Sequence, residues 1–180
     1  QAGMPVGPLA LLDEVSLKLV SHVDKQTRAD LEAEGKPYTE HPAMPVFNKM
    51  IELGRTGRAD GAGFYEYNGG KHLWEELPDH FPLSETQMSQ KEMIDRLTFI
   101  QSIETVRCLE EGVLRSVPDA NIGSIFGWGY APFNGGTLQF INAYGVEKFV
   151  ERARTLAEAY GERFDVPQML KDMADTGKTF

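Results

Sequence analysis

The sequence predicts a mainly α-helical chain built from two similar helical units, with one small β-hairpin. Apolar residues recur at helical spacing through most of the 180 residues. A glycine-rich turn followed by a helix occurs twice, and the turn sequence Asn68-Gly69-Gly70 lies between two short aromatic segments. These observations place a first unit at residues 1–83, with the hairpin near residues 64–75, and a second unit at residues 84–180.

The first unit begins with helical spacing in residues 7–34, which predicts a short helix and then a longer one closed by Gly35-Lys36-Pro37. Residues 45–53 predict another short helix, because proline suits a first turn and a glycine follows the last residue. Alternating and aromatic residues from Gly63 then indicate the hairpin. Residues 78–85 have the composition of a linker.

The second unit opens with a capping box, in which Ser89 and Glu92 have the spacing that starts a helix. Apolar residues on one face extend this long helix to about Glu111, and Gly112 ends it. Further helices are predicted at about residues 118–126, 136–143, 145–160 and 166–175.

One helical unit occurs twice in the chain. Aligning Gly3 with Gly129 and Gly7 with Gly136, with three extra residues in the later copy, superimposes two apolar patterns. The pattern Leu9, Leu11, Leu12, Val15 and Leu17 falls on Leu138, Phe140, Ile141, Tyr144 and Val146. A proline-started helix also recurs, at Pro45 and at Pro167.

The first unit lacks a leading helix like Ser89–Glu111 in the second. We therefore expect the chain to be a fragment of a longer protein. The apolar face of Leu9, Leu12, Val15 and Leu19 would then be uncovered. Because exposed apolar surface of this kind favours association, we expect the chain to self-associate or to be partly unfolded near its N-terminus.

The glycine-rich stretch GWGYAPFNGG at residues 127–136 allows three interpretations: a phosphate cradle, a mobile lid or a rigid turn between helices. The dinucleotide-binding pattern requires a third glycine where this chain has Pro132, and it requires a strand before it. The preceding residues are helical in pattern, which argues against a nucleotide site. We favour the rigid turn, since glycine supplies unusual φ values and proline restricts φ.

Composition excludes several function classes. The formal net charge of −9 argues against general binding of DNA or RNA. A single cysteine, Cys108, rules out a disulfide within the chain and suits a reducing cytoplasm. The sequence shows no signal peptide and no apolar run of membrane-spanning length. We expect no metal site, because the four histidines lie in dissimilar contexts, at His22, His41, His72 and His80.

Three segments carry a family resemblance: GMPVGPLALLDEVSL, GRADGAGFYEY and ETVRCLEEGVLRSVPDANIGSIFGWGYAPFNGG. In these segments the chain resembles the C-terminal helical domains of 3-hydroxyacyl-CoA dehydrogenases. The α subunit of multifunctional fatty-acid β-oxidation complexes has two such units in tandem. The resemblance covers nearly all of the chain.

The resemblance implies a parent enzyme with an enoyl-CoA hydratase domain, an NAD-binding Rossmann domain and then these helical domains. It also implies an acyl-CoA substrate and a thiolase β subunit as partner. The family's catalytic residues and NAD loop have no counterpart in this sequence, so we assign no catalytic and no cofactor-binding residue and expect the piece alone to be inactive. Asp95 stands where the family has a substrate-contacting asparagine, and we do not assign it that role.

The same resemblance points to one turn as the wall of the acyl-substrate cleft: Gly3, Met4, Pro5, Gly7 and Pro8. Packing between domains is the structural alternative for this turn. Lys49, Arg55 and Arg58 could approach the phosphates of coenzyme A, but we interpret them as a solvated basic patch. The alternative function for the whole chain is a self-standing, non-catalytic helical interaction module.

Overall fold

The computed structural model describes residues 2–180 and divides them into two compact units. One unit comprises Val6–Glu85, and the other comprises Thr86–Phe180 together with residues 2–5. The described residues form helices α1 Pro8–Val15, α2 Leu17–Ala33, α3 Met44–Glu52, α4 Leu77–His80, α5 Gln90–Glu110, α6 Val117–Trp128, α7 Thr137–Tyr144, α8 Val146–Tyr160 and α9 Gln168–Thr176. Strands β1 Tyr65–Glu66 and β2 His72–Leu73 pair in an antiparallel sheet. The prediction of a mainly helical chain with one small hairpin is confirmed.

Two details differ from the sequence prediction. The segment predicted as a linker from residue 78 begins inside α4, where Pro78 occupies the first turn and His80 stacks on Trp74 with ring centroids 5.0 Å apart. Residues 2–5 pack with Thr86–Phe180 rather than with the residues that follow them. The boundary at residues 83 and 84 stays a prediction.

Ser16 separates α1 from α2 in the Val6–Glu85 unit. Its φ is 76°, which costs free energy for a residue other than glycine. The next residue, Leu17, is fully buried, and its N–H donates to the Thr56 carbonyl over 2.9 Å. Burial and this hydrogen bond hold the break in the unusual conformation. Leu17 packs with Met50 and Phe64 in the core of this unit.

Asp13 attaches the hairpin to α1. Its fully buried carboxylate accepts hydrogen bonds from the N–H of Phe64 at 2.8 Å, the N–H of Tyr65 at 2.9 Å and the Tyr67 hydroxyl at 2.9 Å. Burial and the hydrogen bond to Asp13 raise the pKa of Tyr67. A Cβ atom on Gly63 would lie 2.0 Å from the Asp13 Oδ1 atom, so this position requires glycine.

Phe99 of α5 lies at the centre of the Thr86–Phe180 unit. Its ring is parallel to that of Phe149 with centroids 4.1 Å apart, and it meets the edges of Phe140 and Tyr144 at 5.8 and 5.1 Å. Aromatic contacts of this kind contribute about 0.5–1.5 kcal/mol each beyond area burial. They fix α5 against α7 and α8.

The two units repeat the same helix–break–helix arrangement. α1 and α7 are both 8 residues long, each follows a glycine, and each ends at one residue of positive φ, Ser16 at 76° and Gly145 at 89°. α3 and α9 are both 9 residues long and are followed by glycines of positive φ. The repeat therefore holds in backbone conformation as well as in sequence pattern.

The apolar face of Leu9, Leu12, Val15 and Leu19, which the sequence predicts to be uncovered, is only partly exposed. Leu9 and Leu12 pack against the core of the Val6–Glu85 unit. Val15 and Leu19 are exposed, as expected, with 44% and 51% of their surface accessible. The prediction was wrong for the first two residues, because α1 turns that side toward α3 and the hairpin core.

Candidate functional site

The glycine-rich stretch at residues 127–136 is a turn whose backbone groups are bonded internally. α6 ends at Gly129, which has φ 74° and ψ 35°, the left-handed conformation that glycine adopts at helix ends. The N–H groups of Gly129 and Tyr130 donate back to the carbonyls of Ile125 and Ser124 over 3.1 and 3.0 Å. The Tyr130 side chain is fully buried, and this burial raises its pKa to about 12.

The start of α7 is capped by side chains of α6. The Asn121 amide oxygen accepts hydrogen bonds from the N–H groups of Leu138 and Gln139 over 2.9 and 3.1 Å. The Ser124 hydroxyl accepts one from the N–H of Thr137 over 3.2 Å. A Cβ atom on Gly136 would lie 2.5 Å from the Asn121 Cα atom, so glycine is required for this close approach.

NAD does not fit this turn. A pyrophosphate would need several free N–H donors at one place, and seven N–H groups of the turn and of the first turn of α7 already have partners. These donors belong to Gly129, Tyr130, Asn134, Gly135, Thr137, Leu138 and Gln139. The internal bonds support the rigid-turn interpretation over the cradle.

Residues 3–5 lie across this turn. A Cβ atom on Gly3, which has φ 78°, would lie 2.9 Å from the Ala131 Cβ atom and 2.1 Å from a ring carbon of Phe133. A Cβ atom on Gly129 would in turn lie 2.8 Å from the Pro5 ring. Since both contacts exclude a larger residue, the two glycines allow the two segments to cross closely.

Met4 extends this crossing to α5. The Gln101 side-chain amide donates to the Met4 sulfur over 3.9 Å, and its carbonyl accepts from the Trp128 indole N–H over 2.9 Å. Gln101 therefore links the predicted wall residue Met4 to the end of α6.

The other two predicted wall residues belong to the Val6–Glu85 unit. Gly7 precedes α1, has extended backbone angles and would leave space around an added Cβ. Pro8 is the first residue of α1 and is exposed. Within their own unit they start a helix, and the structure brings Gly3, Met4 and Pro5 together on the turn instead.

A partly open cavity of about 560 Å³ lies between α5 and α6 beside Gln101 and Trp128. Its volume is within the range of small-molecule sites. Apolar side chains and the half-buried Cys108 line it, together with a few polar groups such as Thr105 and Asp119.

The sequence prediction missed this cavity. Its signal is present in α6, which carries large apolar residues on several sides, including the exposed Ile122 and Phe126. A helix of this kind has more apolar surface than one core can bury. The small residue Gly123 lines the cavity opposite α5 and leaves it open.

Asp95, which stands where the family has a substrate-contacting asparagine, lies in a network of ion pairs. It is mostly buried and accepts hydrogen bonds from the Arg152 Nε atom at 2.9 Å and the Lys91 ammonium at 2.6 Å. Arg152 also pairs with Glu92. Two cations and two carboxylates thus join α5 to α8, which is a structural arrangement.

Glu92→Gln is expected to flatten the acid limb of the stability profile. The hydrogen bond from Arg152 lowers the pKa of Glu92 in the folded chain. The stabilisation by the ionised carboxylate is therefore present above the unfolded pKa and lost as the pH falls through the folded value. Urea unfolding between about pH 5 and pH 3 would measure this effect. The free energy of unfolding should fall less with decreasing pH in the variant than in the wild type.

Glu111→Gln is the matched control, since it removes one exposed negative charge just beyond α5. Its acid limb should match that of the wild type. An equally steep acid limb in Glu92→Gln and the wild type would contradict the role of the Arg152 pair.

The predicted basic patch is not solvated throughout. The Arg55 side chain is 12% exposed, pairs with Glu66 at 2.7 Å and lies 4.1 Å from the centre of the Trp74 ring. Arg58 is exposed and pairs with Glu14. Arg55 is therefore half-buried against Trp74, because its planar guanidinium stacks on the ring and pairs with Glu66.

Residues 2–180 include no helix long and apolar enough to span a bilayer. The same residues contain no group of three His, Cys, Asp or Glu side chains placed to share a metal ion.

Comparison with known proteins gives the family context of this geometry. Residues 1–67 match the family described as 3-hydroxyacyl-CoA dehydrogenase, C-terminal domain. The chain is 35% identical over 180 residues to the fatty acid oxidation complex subunit alpha of Vibrio vulnificus (strain CMCP6). It is 36% identical over 183 residues to the subunit of the same name in Shewanella amazonensis. The predicted family resemblance is confirmed.

Each of these alignments covers 99% of this chain and 25% of the relative. The chain thus spans about a quarter of the length of the curated relatives it matches. The match to the family model covers the Val6–Glu85 unit from its start through β1.

Two solved structures share the fold. The 3-hydroxybutyryl-CoA dehydrogenase of Escherichia coli K12 superimposes with a TM-score of 0.67 at 17% identity, over 97% of this chain and 52% of that one. The dehydrogenase part of multifunctional enzyme 1 from C. elegans gives a TM-score of 0.58 at 16% identity, over 92% and 38%. At these identities the likeness concerns the fold.

Proposed function

We propose that this chain is the C-terminal helical portion of a multifunctional fatty-acid β-oxidation enzyme, the α subunit that joins 3-hydroxyacyl-CoA dehydrogenase and enoyl-CoA hydratase activities. The observation that carries the proposal is the match of 99% of the chain, at 35% identity, to a quarter of a fatty acid oxidation complex subunit alpha. A cytoplasmic location and a thiolase β subunit as partner belong to the same proposal.

In this proposal the chain positions substrate and leaves the chemistry to other domains. Bound NAD would accept a hydride from the 3-hydroxyacyl-CoA. The turn at residues 127–136 is a poor fit for that cofactor, since the N–H groups of Gly129, Tyr130, Asn134 and Gly135 are already bonded within the turn. We therefore expect the 180-residue chain alone to be inactive and to bind no NAD.

The contribution to the acyl cleft rests on the surface around Met4. Gly3, Met4 and Pro5 are held on the glycine turn, and Met4 reaches Gln101 at the edge of the apolar cavity. A flexible thioether suits contact with acyl chains of varied shape. Gly7 and Pro8 belong to the same proposed wall through the start of α1.

A chimera tests this function directly. Residues 1–180 would replace the matching quarter of the Vibrio vulnificus subunit, and NAD reduction with a 3-hydroxyacyl-CoA would be measured. We expect turnover within about tenfold of the unmodified subunit. Neither the truncated subunit nor the 180-residue chain alone should turn over. A folded chimera that binds NAD and does not turn over would reject the proposal.

Met4→Glu in the chimera tests the cleft wall. A carboxylate beside the acyl chain should raise KM and leave kcat close to that of the chimera, because the group contributes binding and no chemistry. Leu83→Glu is the control, since Leu83 is 80% exposed and lies far along the chain from the turn. Equal KM values for the two variants would remove Met4 from the wall.

The second candidate, a non-catalytic interaction module, is favoured by the exposed apolar side chains of α6, including Phe126 at 86% exposure. In that case the chimera would fail to support turnover, while the chain would still bind a protein partner.

A further inference from the structure

The cavity between α5 and α6 is lined by residues of the Thr86–Phe180 unit alone. Its volume of about 560 Å³ is in the range of sites for small ligands. α5 lines it from Ile100 to Cys108, which is about 12 Å at the helical rise per residue. Because carbon–carbon bonds are about 1.5 Å long, an extended chain of about ten carbons covers that length. The cavity therefore has the size of one aliphatic chain.

The polar side chains of the cavity have already committed their hydrogen-bond donors. Three of them donate to main-chain carbonyls: Gln101 to Leu97 over 2.6 Å, Thr105 to Gln101 over 2.8 Å and Ser124 to Asn121 over 2.8 Å. The Trp128 indole N–H donates to the Gln101 side-chain oxygen over 2.9 Å. The thiol of Cys108 is only a weak donor. A carboxylate in this cavity would have to break one of these bonds or remain without donors, which is costly.

The charged side chains of the cavity are acidic. Glu104 and Asp119 line it, and the other described lining residues include no lysine, arginine or histidine. Glu104 already pairs with Arg107 over 3.2 Å. Asp119 lies exposed in the first turn of α6. This charge distribution repels an anionic ligand and attracts a cationic one, and Asp119 is the carboxylate that a ligand cation can reach.

We propose that this cavity is a binding site for a small cationic amphiphile, an unbranched aliphatic chain of about ten carbons that ends in an ammonium group. The chain lies between α5 and α6, and the ammonium group pairs with Asp119. Burial of the methylene groups supplies most of the affinity, and the acidic side chain selects the head group. The inference rests on the cavity and does not depend on the proposed enzymatic function.

Two glycines of α6 allow the cavity to be filled in a controlled way. Gly123 lines the cavity, and a Cβ atom added to it would meet no atom within 4 Å. Gly127 lies one turn later in the same helix, has the same open space and does not line the cavity. A leucine at either place should therefore fold, and only the one at Gly123 enters the site.

Decylamine and decanoate serve as probes at pH 7, since they have chains of equal length and opposite charges at that pH. Their binding to the 180-residue chain would be measured by titration calorimetry. NMR shifts of the Leu114 and Ala120 methyl groups would locate it in the cavity. We expect decylamine to bind at least about tenfold more tightly than decanoate.

Gly123→Leu should weaken decylamine binding by about tenfold or more, because the new side chain occupies the space of the aliphatic chain. Gly127→Leu is the matched control and should bind decylamine as the wild type does. Circular dichroism would show that both variants keep the helical fold.

Asp119→Asn should reduce the preference for decylamine over decanoate by about fivefold, since the exposed ion pair with the ammonium group is lost. Asp175→Asn is the control for the change in net charge. Asp175 is exposed in α9 and does not line the cavity. This control should keep the wild-type preference.

Four results would overturn the inference: no binding of decylamine, binding of decanoate as tight as that of decylamine, equal affinities in Gly123→Leu and Gly127→Leu, or equal preferences in Asp119→Asn and Asp175→Asn. The last two would show that the amphiphile binds the acidic surface at large. The chimera assay can fail while these titrations succeed, so failures of the two proposals are distinguishable.

Discussion

Gly136→Val is expected to lower the free energy of unfolding by about 3 kcal/mol or more. Gly136 has φ 106° and ψ 173°, a conformation that is available almost exclusively to glycine. Its added Cβ atom would also meet the Asn121 backbone at 2.5 Å. Relief of that contact would shift Asn121, which caps two N–H groups of α7. Thermal and urea unfolding followed by circular dichroism would measure the loss.

Two matched variants distinguish the effect of the backbone conformation at Gly136 from the effect of replacing a glycine elsewhere in this region. Gly135 has φ 73° and ψ 9°, and its added Cβ atom would meet the movable side chain of Gln139. Gly135→Asn should therefore cost less than Gly136→Val, because asparagine tolerates the left-handed region. Gly127 lies inside α6 with open space around it, so Gly127→Ala should stabilise the chain by about 0.5–1 kcal/mol. An unchanged melting temperature in Gly136→Val would refute the rigid-turn interpretation.

Asp13→Ala is expected to lower the free energy of unfolding of the Val6–Glu85 unit by about 3–5 kcal/mol. The substitution removes a fully buried acceptor and leaves the N–H groups of Phe64 and Tyr65 and the Tyr67 hydroxyl without it. These donors lie on the hairpin, so the hairpin should detach from α1 first. Fluorescence of the buried Trp74, in a Trp128→Phe background, would follow this unit alone.

Asp13→Asn and Glu14→Ala complete this experiment. Asparagine keeps the shape of the side chain and one accepting oxygen. Asp13→Asn should therefore lower the free energy of unfolding by less than Asp13→Ala does. Glu14 is the neighbouring residue and forms an exposed ion pair with Arg58, so Glu14→Ala should cost at most about 1 kcal/mol. Equal losses for Asp13→Ala and Glu14→Ala would show that the buried carboxylate does not attach the hairpin.

The helices were predictable because their signals are local. Ser89 accepts from the Glu92 N–H over 3.2 Å, as its spacing predicts, and α5 ends at Glu110, one residue before the predicted end. The reciprocal half of the capping box was not predictable, since the Glu92 carboxylate pairs with Arg152, 60 residues away. Local spacing therefore predicts the partner of the Glu92 N–H group, whereas tertiary packing determines the partner of its carboxylate.

The candidate site shows the same division. The family resemblance predicted one cleft wall of five residues, and this assignment stays a prediction: Gly3, Met4, Pro5, Gly7 and Pro8. The cavity beside Gln101 depends on how α5 and α6 pack, which involves residues more than 20 positions apart. Periodicity shows that α6 is apolar on several sides, and it does not show which side remains open.

The sequence by itself determined the helical class, the repeated unit, the hairpin turn and the family resemblance, since each depends on short-range spacing and residue type. Tertiary structure alone decided that Asp13 binds residues about 50 positions away, that Arg55 stacks on Trp74, and that residues 3–5 pack on the glycine turn. These outcomes depend on which distant groups become neighbours on folding. The free energy of burial and hydrogen bonding then selects partners that no local pattern encodes.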